Sequence, residues 1–183
     1  NGVHLVDSRS ASLGLGLLAL RGAELAKAGW GAEAIATELC RVRDQSGLLL
    51  TVDIYDNLIR SGRVSKGKAW LGGLLDIKPI LEVDDAGRLQ PVDRVRGREQ
   101  VVPRMLARLM EKLTPRPKEI RFGIVHAEAP ETAERVRTAL QAAFQPREIV
   151  VGPATGVLGT HVGPGAWAVA YQVEDGTPEH AGG

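Results

Sequence analysis

The segment Gly159-Thr160-His161-Val162-Gly163-Pro164-Gly165-Ala166 runs straight into the apolar stretch Ala166-Trp167-Ala168-Val169-Ala170-Tyr171. The apolar stretch, continued over residues 166–173, reads as a strand. Gly163-Pro164-Gly165 reads as the turn that delivers the chain to it. Glycine permits backbone paths closed to other residues, and proline stiffens them. A turn built this way can hold His161 beside a pocket and let a ligand approach the main chain closely. An imidazole so held can pair with an anion or orient a second basic group.

Outward from this segment, apolar strands alternate with amphipathic helices. Strands are expected at residues 3–6, 48–52, 119–125 and 148–151. Helices are expected at 11–28, 32–44, 55–61, 68–75, 98–113 and 131–144. Residues 77–83 and 89–95 flank Asp84-Asp85-Ala86-Gly87 and read as a hairpin. Alternation predicts an α/β fold, and the hairpin makes its sheet mixed rather than purely parallel.

Bulk properties narrow the function classes. The 183 residues carry a formal net charge of +1 and 44% hydrophobic content. No basic stripe stands out, which speaks against nucleic acid as partner. Aromatics make up only 4%, so aliphatic side chains and alanine must fill the core. Cys40 is the single cysteine; it can form no internal disulfide and suits a reducing, cytoplasmic setting. No apolar run reaches the roughly 18 residues of a membrane span. The opening Asn1-Gly2-Val3-His4 lacks a basic region ahead of an apolar one, so no secretory leader is expected. Val3-His4-Leu5-Val6-Asp7 reads as a strand already inside a domain, which predicts that an N-terminal part of the fold precedes it.

Among candidate functional residues, Arg63 stands in Ser61-Gly62-Arg63-Val64-Ser65. A guanidinium is a good ligand for carboxylate or phosphate because its planar fork offers paired donors. On spacing alone, a solvated helix end beside Arg60, Lys66 and Lys68 is the commoner use. Leu71-Gly72-Gly73-Leu74-Leu75-Asp76-Ile77-Lys78-Pro79-Ile80-Leu81 is apolar and glycine-bearing. It can leave a groove for an aliphatic ligand or simply pack a helix on a strand. Arg96, beside Gly97, suits either an anion or partner contact or a surface ion pair. Ser8, Ser10 and Ser12 read as helix-capping residues. Gly14-Leu15-Gly16 completes neither a P-loop nor a dinucleotide fingerprint. His126-Ala127-Glu128 matches half of a zinc-deaminase motif, but paired cysteines are missing, so no metal or cofactor is expected. By themselves these residues support a soluble α/β domain with a candidate anion site.

Five segments in register resemble the DegV family of bacterial fatty-acid-binding proteins. They are Val6-Asp7-Ser8 with Ser12 and Gly14; Leu58-Ile59-Arg60-Ser61-Gly62-Arg63-Val64-Ser65; Leu74-Leu75-Asp76-Ile77-Lys78-Pro79-Ile80-Leu81; Val95-Arg96; and Gly159 to Ala166. The resemblance covers about residues 3–173. It implies a two-domain α/β architecture with a long-chain fatty acid between the domains, the N-terminal part of the first domain being absent. Residues 1–46 would then be the remnant of that domain, 47–174 a C-terminal lipid-binding domain and 175–183 a flexible tail.

The same resemblance implies a carrier rather than an enzyme. A separate ATP-dependent fatty acid kinase subunit would phosphorylate the bound carboxylate to an acyl phosphate, in phospholipid metabolism. The family's Gly-Arg arginine falls on Arg63 and its histidine before Gly-Pro-Gly on His161, together supporting the carboxylate. Gly73, Leu75, Ile77, Pro79 and Gly163 would complete the ligand-binding set, and Arg96 would serve the kinase or phosphotransfer. Transient contact with a membrane surface would fit a lipid carrier. Val162 stands where a threonine is common. The family's N-terminal half normally supplies the hydroxyls that touch the carboxylate directly. Two other classes compete: an enzyme acting on a small phosphorylated or carboxylated substrate through Arg63, His161 and Ser65, and an interaction domain without ligand. A deep apolar cavity favours the carrier, a small polar pocket the enzyme, and a filled core the interaction domain.

Overall fold

Strands that are apolar at every position need cover on both faces, and this requirement organises the sheet. The computed structural model describes residues 2–64 and 76–177. It contains a six-stranded sheet of order β3-β2-β1-β6-β4-β5. The strands are β1 (Gly47–Thr51), β2 (Ile77–Val83), β3 (Leu89–Arg96), β4 (Ile120–His126), β5 (Glu148–Pro153) and β6 (Trp167–Val173). Only β4 and β5 pair in parallel, and the other ladders are antiparallel. The sheet is therefore mixed, as the alternation and hairpin predict. The strands richest in buried residues, β1, β6 and β4, take central places.

One face of the sheet is closed by α4 (Val101–Lys112) and α5 (Pro130–Phe144). Leu49, Ile80, Phe122, Ile124 and Val169 point into this layer and meet Met105, Leu109, Val136 and Leu140. Phe122 and Phe144 rings lie 5.2 Å apart in a tilted pair. Period-two alternation sends the neighbouring residues Leu48, Leu50, Leu81, Ala168 and Ala170 to the other face. There they meet Leu17 of α1 (Leu13–Lys27) and Tyr55 and Leu58 of α3 (Tyr55–Arg60). α1 lies against β4 at Gly123, where a Cβ would come within 2.7 Å of the Leu13 Cβ. α2 (Ala32–Asp44) packs back on α1, bringing Leu39 against Gly22.

Small or apolar positions at one end of the second face give way to charge at the other. Arg121 is 1% exposed, and its guanidinium pairs with Glu174 at 2.9 Å, Glu148 at 3.2 Å and Glu24 at 2.5 Å. Gln172, beside Arg121 in the ladder, donates to Glu174 at 2.8 Å. A buried guanidinium is tolerable only when compensated in this way.

Two local expectations need correction, and one unassigned stretch proves helical. Residues 3–6 form no strand: the sheet ends at β3 and β5, no described strand pairs with this segment, and Val3 and Leu5 are 91% and 92% exposed. Apolar character without a ladder partner does not make a strand. The stretch before the Gly-Pro-Gly turn, to which the sequence assigns no element, is helical, α6 (Gly156–Val162), so His161 sits on a helix ahead of the turn. Ser12 occupies the start of α1 but makes no side-chain capping bond, and its φ is +52°. The expected helix at 68–75 lies outside the described residues, as do residues 178–183 of the expected tail.

Candidate functional site

The second face of the sheet is shallow because β6 presents alanines to it. Leu50, Ala168 and Val125 form one cross-strand row, and Leu48, Ala170 and Gly123 the next. Leu13 covers the second row at Gly123. Along the first row, among the described residues, a cavity of about 470 Å³ opens with Ala168 in its lining. This size is in the range of small-molecule sites. Leu48, Leu50, Val125 and Ala168 contribute to its floor, and Leu58, Val83 and Leu158 to its sides. Its polar contributors are Ser10, Ser12, Arg63, Arg88 and His161.

Arg63 reaches the cavity through a helix cap. α3 ends with Gly62 at φ +66°. The Gly62 N–H donates to Ile59 O at 3.0 Å and the Arg63 N–H to Leu58 O at 2.9 Å. These two bonds make a Schellman motif, which requires a left-handed residue where Gly62 stands. One residue later, Val64 bridges to Leu89 at the start of β3. Arg63 is thus anchored on both sides in sequence while its own side chain stays exposed.

His161 is held by α6 and the turn behind it. Val157, Leu158, His161 and Val162 lie on one helical face, and all four line the cavity. Gly163 follows at φ +73° and Gly165 at φ +79°. The Gly165 N–H donates to Ala127 O at 2.8 Å, and the Ala127 N–H donates to Ala166 O at 2.8 Å. The turn is thereby tied to the end of β4. Among the described residues, neither the Arg63 guanidinium nor the His161 imidazole has a side-chain hydrogen bond or ion pair. Their donor capacity faces a cavity that is otherwise mostly apolar. Arg88, by contrast, is paired with Asp84 at 3.2 Å.

The structure therefore brings Arg63 and His161 to one cavity, although nearly a hundred residues separate them. Gly163 stands at the C-terminus of α6 and shapes the turn without lining the cavity. Ile77 and Pro79 share the cavity face of β2 by alternation, but the cavity touches that strand at Val83, its far end. Arg96 is exposed at the end of β3, paired in register with Ile77. The length of β3, roughly 20 Å, separates it from the Leu89 end near Arg63. Gly73, Leu75 and Ser65 lie outside the described residues. His126 accepts a hydrogen bond from the Ala129 N–H at 3.3 Å, an ordinary strand-end role. Sequence reasoning missed the floor itself. Its signal was present as alanine at every second position from 166 to 170.

Chemically, a cation and an imidazole at the margin of an apolar cavity suit an amphiphile with an anionic head. Among the described residues no helix is long and apolar enough to cross a membrane.

Comparison with known proteins gives a family and several relatives. A family model described as an uncharacterised protein of the DegV family matches residues 1–174. A DegV domain-containing protein of Mycobacterium bovis is 36% identical over 177 residues, which is 96% of this chain and 62% of that protein. A Thermus thermophilus structure, described as showing fatty acid binding of a DegV family protein, superposes with a TM-score of 0.84 at 29% identity. It covers 92% of this chain and 60% of that one. DegV of Bacillus subtilis, described as a fatty acid binding protein, superposes with a TM-score of 0.77 at 31% identity, covering 92% and 59%. The chain thus spans about three fifths of the length of these relatives.

Proposed function

Because this chain belongs to the DegV family, we propose that it supplies one wall of a binding site for a long-chain fatty acid. The observation that carries this reading is the apolar cavity over Ala168 with Arg63 and His161 on its lining. The relatives from Thermus thermophilus and Bacillus subtilis, described as fatty acid binding, support it.

Energetics assign separate tasks to the two parts of the site. Burying each methylene gains about 0.8 kcal/mol relative to water. A bilayer supplies nearly the same gain, so transfer from membrane to cavity is close to neutral for the alkyl chain. Discrimination then falls to the head group. A carboxylate leaving water must be paired or hydrogen-bonded. Arg63 and His161 provide those partners in this reading.

We further propose that the protein is a carrier, and that a separate ATP-dependent kinase phosphorylates the held carboxylate. The more negative acyl phosphate would gain more from Arg63 than the carboxylate does, and a water-poor cavity would slow its hydrolysis. Arg96, exposed and remote from the cavity lining, is our candidate for the partner contact.

Native mass spectrometry of the full-length protein tests the ligand class, with a co-purified long-chain fatty acid as the expected result. Removing a hydrogen bond to a charged group costs about 1.5–3 kcal/mol. Arg63 is exposed, so the lower end applies, and Arg63→Ala and His161→Ala should each weaken oleate binding about tenfold with the fold intact. Parental affinity in both variants overturns the head-group assignment. Failure of the unaltered protein to bind any fatty acid overturns the whole reading.

A further inference from the structure

Asp53 follows β1 and does not line the cavity, yet it sits against the turn that carries His161. Gly165 has no side chain, and the Asp53 carboxylate occupies the space a Cβ would need there. The Arg98 guanidinium comes within 2.8 Å of the same position. At Gly163 the side-chain amide of Asn57 stands 2.6 Å from where a Cβ would be. Both glycines have positive φ. Three polar side chains thus stand close to the turn, Asp53 and Arg98 at Gly165 and Asn57 at Gly163.

Asp53 is itself held from two directions. Its carboxylate pairs with Arg98, at the junction of β3 and α4, and with Lys78 Nζ of β2 at 3.3 Å. The Asp53 side chain is 22% exposed and that of Lys78 17%. Parts of the chain distant in sequence converge on one carboxylate next to Gly165. α6 cannot set its own orientation, because a helix of seven residues is too short to be stable alone. Its Val157 is 74% exposed and gives little anchorage. Val162 packs against the cluster that holds Tyr55 and Leu58, so the helix is fixed toward its C-terminal end, where the turn begins.

We propose that Asp53 is a positioning residue for His161, acting through the Gly163–Gly165 turn, with Asn57 as its partner on the α3 side. Its functional consequence rests on the reading of His161 as a head-group ligand. The positional claim does not. Removing the carboxylate takes away the group packed on Gly165 and leaves Lys78 and Arg98 facing each other as like charges. The turn relaxes, and with it the imidazole two residues before Gly163.

The test uses Asp53→Ala and Asp53→Asn in the full-length protein. Melting temperature, oleate affinity and the imidazole NMR resonances are measured, His161 being assigned from its disappearance in His161→Ala. Asp93→Ala serves as the control, because it breaks the Arg104 ion pair at 2.6 Å and the Arg108 pair at 3.5 Å on the edge strand β3. Asp53→Ala should shift the His161 resonances and weaken oleate binding roughly tenfold, the loss typical of one charge-assisted contact. Asp53→Asn keeps the side-chain volume and should fall between it and the parent. Asp93→Ala should change the melting temperature alone. His161 resonances that stay unchanged in Asp53→Ala, or change equally in Asp93→Ala, overturn the proposal. If the parent binds no oleate, the head-group reading falls and the resonances still decide the positional claim. If Asp53→Ala does not fold, Asp53→Asn carries the same comparison, since it keeps the side-chain volume and removes the charge.

Discussion

Replacing Ala168 by leucine should strengthen the fold and weaken fatty-acid binding at once. Ala168 is buried at the centre of the cavity floor, between Leu50 and Val125 in the ladder. Leucine adds three carbons, and the cavity above the floor is the space they enter. Full burial of three carbons would gain about 2.4 kcal/mol, and in a cavity that stays open above them about half of that applies. Fixing the leucine rotamer costs about 0.5–1 kcal/mol. The net of about 0.5 kcal/mol corresponds to a rise in melting temperature of roughly 1–2 °C for a chain of this size. The same carbons exclude about three methylenes of a bound alkyl chain. That loss of about 2.4 kcal/mol weakens binding about 60-fold. Thermal unfolding of delipidated protein and titration with oleate read the two effects separately. A lower melting temperature shows that Ala168 does not face open space. Unchanged oleate affinity shows that the alkyl chain does not lie over Ala168. Either result refutes the reasoning, because an ordinary core substitution moves stability without opposing it to binding.

Other perturbations check other parts of the structure. Gly123→Ala should destabilise, because the new Cβ would stand 2.7 Å from the Leu13 Cβ. Overpacking costs about 1–3 kcal/mol and outweighs the roughly 0.4–1 kcal/mol gained by restricting the unfolded chain. A denaturation midpoint equal to or above the parent's would refute this close approach. Burial, aided by Glu82 and Asp85, pushes the Tyr171 phenol up to about 12, and burial also raises Tyr55. Above the ordinary value of 10.0 the unfolded chain releases protons that the folded protein keeps. Stability should therefore be full below that pH and fall as pH rises toward 12. Tyr171→Phe should remove part of the alkaline loss, and a native phenolate titration centred on the ordinary value would refute the assignment.

Much of the fold is legible in local pattern. The helix at 32–44 is found with the same bounds, because its apolar face and flanking glycine act within one element. The hairpin is found around Asp84, whose carboxylate accepts from the Ala86 N–H at 3.0 Å and the Arg88 N–H at 2.9 Å. Gly62 before Arg63 is likewise a local matter, since a Schellman motif needs only its own helix end. Residues 3–6 mislead for the opposite reason. Strand propensity in an apolar tetrapeptide means little until a neighbouring strand supplies hydrogen bonds.

The candidate site divides along the same line. Arg63 and His161 are nominated by their residue types, by adjacent glycines and by resemblance. Ile77 and Pro79 are nominated equally well, yet the cavity reaches β2 only at Val83. Ser12 looks like a cap, yet it makes no capping bond and is part of the cavity lining. Nothing within eight or ten residues of these positions distinguishes them.

From the sequence alone came the element types, the mixed sheet, the family and the two basic groups, because periodicity, glycine conformations and motif spacing are carried by neighbouring residues. Tertiary structure alone decided where the cavity lies. Its floor exists because alanines of β6 fall in register with Leu50 and Val125, and because Leu13 covers one row and not the next. The turn behind His161 is likewise a tertiary matter, since the Asp53 carboxylate, just after β1, meets a glycine more than a hundred residues later. Register and close approach are properties of pairs of segments, and no single stretch of chain contains them.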